Sequence, residues 1–168
     1  MLLPAPDAEA LYANLAQQIT AALGHTEHLA LVGIYSGGAW LAERLAKQLQ
    51  LEARLGFIDV SFYRDDYAEK GLHAEVKPTR IPFAVEGATI LLVDDVLYTG
   101  RTTRAAINEL FDYGRPARIM LAALVDRGGR ELPVSPDFVA AQTVLEGGQS
   151  LTLQQAEDGR LSFAVQDA

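Results

Sequence analysis

ILLVDDVLYTGRTT, residues 90–103, carries fold and chemistry in one string. Its apolar start, TILLVD over 89–94, reads as a buried strand. Asp94 and Asp95 follow at the carboxyl end, and VLYTG (96–100) reads as a turn. Thr99, Gly100, Arg101, Thr102 and Thr103 then open a helix predicted over 101–114. A helix start leaves backbone N–H groups without partners, and the helix dipole favours an anion beside them. Gly100 lets the backbone come close, and the threonine hydroxyls add donors. Ionised carboxylates only accept hydrogen bonds, which suits sugar hydroxyls or metal-bound waters. One strand end thus offers donors for a phosphate beside acceptors for a sugar diol. The competing reading is a capped helix beside two solvated acids. An isolated Asp-Asp pair favours that reading, whereas the strand–turn–helix context favours the phosphate site.

Outward from this string, strands and helices alternate. Asp7 is a candidate N-cap for a helix carrying Leu11, Leu15, Ile19 and Leu23 at helical spacing, ended by Gly24. LALVGI (29–34) is a second apolar strand, followed by the turn residues Ser36, Gly37 and Gly38. Residues 39–50 repeat Leu41, Leu45 and Leu49 as an amphipathic helix, and 55–62 read as a strand. Residues 63–80 are polar and without period, and a loop of this length is either a functional lid or disordered. Strands are predicted at 118–125 and 137–142, and the Asp158-Gly159 pair between two β-like runs predicts a C-terminal hairpin. Alternating elements with continuous apolar strands predict an α/β fold, a doubly wound and mainly parallel sheet with helices on both faces. Residues 1–168 are expected to form a single domain, with ligands beyond the carboxyl ends of the strands.

Composition narrows the function. The 168 residues are 49% hydrophobic and 21% charged, as in ordinary globular chains. The absence of cysteine excludes disulfides and thiol catalysis. A net charge of −8 disfavours a surface that coats nucleic acid or anionic membrane as a whole. The exception is residues 101–130, where six arginines face three acids and an anionic ligand would be drawn. Neither a Walker A loop nor GxGxxG occurs. The N-terminus has no targeting signal, and no apolar run reaches the roughly 18 residues needed to span a membrane, so a cytoplasmic location is expected.

The 90–103 string resembles the phosphoribosyl-diphosphate (PRPP) motif of type I phosphoribosyltransferases. SFYRDD (61–66), VDDVLYTGRT (93–102), DYGRPA (112–117) and LVDRGGRELP (124–133) together resemble the PyrR family, pyrimidine regulatory proteins that also act as uracil phosphoribosyltransferases. The resemblance implies conversion of uracil and PRPP to UMP and pyrophosphate. It assigns Thr99, Gly100, Arg101, Thr102 and Thr103 to the 5′-phosphate. Asp94 and Asp95 take the ribose hydroxyls and support Mg²⁺ that arrives with PRPP, so no metal site of the protein's own is implied. Ser36, Gly37 and Gly38 form the loop that receives pyrophosphate. Arg64 begins a flexible loop closing over the site, and Asp126 and Arg127 face the uracil edge. The family also implies a homo-oligomer, dimer or tetramer, and pyrimidine-operon messenger RNA as a further partner. Arg115, Arg118, Arg127 and Arg130 are the local patch available for it.

Two departures stand out. Gly37 occupies a place where relatives commonly carry arginine, and Gly129 replaces the usual histidine of the DRGHREL segment. Without that arginine the pyrophosphate loop is uncharged, and losing a charge-assisted contact to a leaving group costs on the order of a hundredfold in rate. Two outcomes stay open: an enzyme that makes UMP, or a catalytically weak nucleotide-sensing regulator without RNA binding. An arginine introduced at Gly37 is expected to raise turnover.

Overall fold

The computed structural model describes residues 5–60 and 79–167. The expected strand end at 61–62, Arg64 and all of the expected lid but Thr79 and Arg80 lie outside the described residues.

Asp7 caps the first helix, α1 (Ala8–Leu23), accepting from the Glu9 and Ala10 amides. This helix buries Leu15, Ile19 and Leu23 as the spacing predicts, while Leu11 is only partly covered. Strand β1 (Leu29–Ile34) is buried throughout. Helix α2 (Gly37–Leu49) starts two residues earlier than the leucine period implies, so Gly37 and Gly38 form its first turn. A short strand β2 (Leu55–Ile58) follows, then β3 (Thr89–Leu97), which runs three residues past its expected end. Helix α3 (Arg101–Phe111), β4 (Arg118–Asp126) and β5 (Phe138–Gln142) complete the sheet. Strands β6 (Gln149–Gln155) and β7 (Leu161–Asp167) form the expected antiparallel hairpin.

The sheet order is β2-β1-β3-β4-β5, all parallel. Its strands are apolar on both faces because both are covered. Leu31, Leu91, Val93, Ala122 and Leu124 face a core shared with α1, α2 and the hairpin. Alternate residues, among them Val32, Ile90, Leu92 and Ala123, face a second core with Ala106 and Leu110 of α3. The chain leaves β1 toward β2, then returns to the other side of β1 as β3. Between β1 and β3 the winding therefore reverses, and the crevice beyond their carboxyl ends is where such sheets bind ligands.

Candidate functional site

Both lips of that crevice come from the motifs singled out in the sequence. Beyond β1, Tyr35 and Ser36 lead into the first turn of α2, and the Tyr35–Ser36 peptide is cis. The last residues of β3 carry the acid pair, and the Thr-Gly turn follows. The two lips touch. A Cβ built on Gly37 would lie 2.3 Å from Asp95 Oδ2, and one on Gly38 2.3 Å from the Val93 carbonyl oxygen. Glycine at both positions lets the start of α2 lie directly on the end of β3. Any side chain at position 37, the expected arginine included, must first displace the Asp95 carboxylate.

The acids are held by their own backbone. Asp94 is 6% exposed, and its Oδ1 accepts the Asp95 amide at 2.8 Å. Asp95 Oδ1 accepts the Val96 amide at 2.8 Å, and Oδ2 faces Gly37. Two such hard oxygen donors fit a cation that keeps most of its shell from phosphates and water.

The turn after β3 runs from a strand into a helix start, as the sequence predicts. Gly100 has φ +93°, the left-handed region, and α3 begins at Arg101. The helix ladder opens with the Arg104 amide donating to the Gly100 carbonyl, so the Thr102 and Thr103 amides stand ahead of it. The Thr99 hydroxyl accepts the Arg101 amide at 3.2 Å. Thr103 differs from expectation. Its side chain is 2% exposed, shares a face with Ala106 and Leu110, and its hydroxyl has no partner. It offers the site its amide, because its hydroxyl is turned into the core.

The segment after β4 is also rearranged relative to the sequence reading. The Asp126 carboxylate is taken by Arg130 through two hydrogen bonds of 2.9 and 2.6 Å. Arg130 holds its pKa below the usual carboxylate range, helped by the Gly128 amide. Its charge is thus directed at Arg130 and not at a base edge. The Arg127 guanidinium lies 3.9 Å over the Tyr98 ring and donates to the Gln149 carbonyl. Gly129 has φ +82°, and a Cβ there would stand 2.5 Å from Tyr98 Cε1. Glycine in place of histidine thus lets the Tyr98 ring lie against this turn. Sequence reading missed Tyr98 and gave Arg130 only a place in the arginine patch. Only their places beside the Thr-Gly turn and within DRGGREL could have flagged them.

Fold and site together define a phosphoribosyltransferase, and a family model described as a phosphoribosyl transferase domain matches residues 1–155. A hypoxanthine phosphoribosyltransferase from Staphylococcus aureus has the same fold, with TM-score 0.66 over 88% of this chain and 80% of that one, at 21% identity. Sequence relatives are nearer. The chain is 54% identical to "Bifunctional protein PyrR" of Ralstonia nicotianae, covering 91% of this chain and 88% of the relative. It is 45% identical to the protein of the same name from Nitrosococcus oceani, covering 94% and 90%. The chain belongs to the PyrR family.

Proposed function

We propose that this chain transfers a phosphoribosyl group from PRPP to uracil, giving UMP and pyrophosphate, and serves as a pyrimidine-responsive regulator. The observation that carries the reading is the contact between the two lips. An acid pair and a phosphate-binding turn stand directly against the glycine start of α2, across the point where the winding reverses. In this arrangement the turn 99–103 at the start of α3 holds the 5′-phosphate. Asp94 and Asp95 accept hydrogen bonds from the ribose hydroxyls, and their charge stabilises the oxocarbenium-like state at C1. Uracil N1 gives up its proton to water and bonds to C1 as the C1–O bond breaks, and the electron pair of that bond leaves with pyrophosphate at Ser36-Gly37-Gly38. Mg²⁺ carried by PRPP neutralises charge on the leaving group. Arg64, outside the described residues, is assigned to closure over the site. The base end lies at the turn 126–128 beside Tyr98, with Asp126 and Arg127 contributing through the backbone they fix.

The uncharged pyrophosphate loop favours slow turnover with UMP binding intact. A radiolabelled-uracil assay run beside a UMP titration tests both parts. Uracil incorporation that requires PRPP, with saturable UMP binding, is the expected result. No UMP binding would overturn the site assignment. Of the four arginines assigned to messenger RNA, Arg127 and Arg130 have their guanidiniums engaged within the protein, so Arg115 and Arg118 carry that assignment, and a steep loss of RNA affinity with salt is expected there. Assembly as a dimer or tetramer belongs to the same proposal. No helix of the described residues is long and apolar enough to cross a membrane.

A further inference from the structure

Arg80 falls in the stretch expected as a lid, yet its backbone is held in place. Its amide donates to the Phe57 carbonyl at 2.8 Å, and the Phe57 amide donates to its carbonyl at 2.8 Å. The Asp59 amide donates to the Thr79 hydroxyl at 3.3 Å. Residues 79 and 80 thus lie along the outer edge of β2, bridged to it in antiparallel sense at Phe57. The Arg80 side chain is exposed, and among the described residues no hydrogen bond or ion pair engages its guanidinium.

Pairing fixes the side of the sheet on which it stands. Partners in an antiparallel bridge carry their side chains on one face, so Arg80 shares a face with Phe57. Phe57 is the register partner of Gly33 in β1. The Gly33 face meets the start of α2, since a Cβ there would stand 2.7 Å from Ala39 Cα. Tyr35, two residues on, shares that face, and its ring centroid lies 5.4 Å from that of Phe57. Arg80, Phe57 and Tyr35 form a row on the α2 side, and Tyr35 leads directly into Ser36. The charge of Arg80 is felt along this row. Burial and the Glu43 carboxylate raise the pKa of the Tyr35 phenol, the Arg80 guanidinium lowers it, and Asp59 raises it.

Across the sheet, the assigned parts of the substrate follow the strand order. The base lies after β4, ribose and 5′-phosphate after β3, and pyrophosphate after β1. Next come β2 and then Arg80, two strand spacings, roughly 10 Å, from β1. Ser36-Gly37-Gly38 has no charged side chain, and at Gly37 the Asp95 carboxylate occupies the space for one.

We propose that Arg80 meets the pyrophosphate of PRPP beside Ser36-Gly37-Gly38 and supplies the positive charge that this loop lacks. The negative charge that builds on the leaving oxygen as the C1–O bond breaks then faces a guanidinium as well as Mg²⁺. The inference rests on the phosphoribosyl-transfer reading of the crevice.

The test compares PRPP with ribose 5-phosphate, which lacks the pyrophosphate, by calorimetry at fixed Mg²⁺ and salt. In Arg80→Gln the preference for PRPP is expected to fall by about tenfold. UMP, which carries no pyrophosphate, is expected to bind within about twofold of the native chain. Arg80→Lys keeps the charge and is expected to retain most of the preference. Arg160→Gln, which removes one exposed positive charge from the hairpin, is expected to leave it unchanged. Should Arg80→Gln lack the native circular dichroism, Arg80→Thr takes its place, because a β-branched residue suits the bridge. An exposed cation beside an edge strand also discourages pairing between copies. That role alone would leave the preference for PRPP intact in Arg80→Gln, and such a result, with UMP still bound, overturns this inference alone. Equal losses for PRPP, ribose 5-phosphate and UMP, or a loss in Arg160→Gln as large as in Arg80→Gln, overturn it too. A native chain that binds none of the three ligands overturns the phosphoribosyl reading of the crevice and this inference with it.

Discussion

At the scale of single residues, the site depends as much on missing side chains as on present ones. Gly37→Ala places a methyl group where Asp95 now lies. It is expected to lower uracil turnover by about tenfold or more, equivalent to at least ~1.4 kcal/mol of barrier, with a much smaller change in thermal midpoint. Steady-state assays and a melting curve on the same preparation check this. Full turnover in the variant would mean that Asp95 has room to move without consequence. The paired change of Asp94 and Asp95 to Asn is expected to weaken both UMP and PRPP, because an amide offers the ribose diol fewer acceptors. Unchanged affinity for either ligand would count against the assigned roles. Asp94, Asp95 and the Thr-Gly turn were legible because their chemistry is local: acceptors at a strand end, donors at a helix start. The use of Asp126 was not. Whether that carboxylate faces a ligand or an arginine is decided by Arg130, four positions on in a glycine turn, and no periodicity reports where such a turn points.

Among the elements, the hairpin is docked by an ion pair that titrates. Arg44 of α2 bonds both Glu9 oxygens, at 2.7 and 3.0 Å, and also the Gly159 carbonyl in the hairpin turn. The Arg44 guanidinium, with the Leu161 amide, brings Glu9 down to a pKa of about 2 from 4.5. A carboxyl depressed in the folded state stabilises fully above its unfolded pKa, and that stability is lost as the pH falls through the folded value. The stabilisation from Glu9 is therefore present near pH 6 and fades toward pH 2. Glu9 is more than one-third exposed, so screening leaves about 1 kcal/mol at neutral pH. Melting midpoints of Glu9→Gln and the native chain are expected to differ near pH 6 and converge near pH 2. A gap that persists at the acid end would mean the bond acts through shape and not charge. The apolar side of the hairpin should matter more. Phe163→Ala is expected to cost about 3 kcal/mol in chemical denaturation, since the ring is buried against the α1 core. Element type was readable wherever the apolar period was long, as in β1 and α3. Boundaries were less so. Strand β3 runs on through Asp95 because β4 pairs with it as far as Leu97, a partnership set by the sheet and not by local residue type.

For the whole molecule, the sequence carried the doubly wound sheet, because alternation of buried strands and amphipathic helices admits few other packings. The order of the strands was not written in any one segment. It arises when the chain crosses back over β1, and that crossing makes one crevice from turns about 60 residues apart in the chain. A ligand seated there bridges the first strand and the third, so it acts as a non-covalent cross-link between the two windings. Binding only to the native state adds stability by mass action, about 2.7 kcal/mol at a hundred times the dissociation constant. The increment should not be spread evenly. Amide hydrogens of residues 35–39 and 99–103 are expected to exchange with deuterium more slowly on UMP addition, by a common factor and over the same range of ligand concentration. Protection confined to one turn would show that the two halves open separately, and that nucleotide is held by one of them.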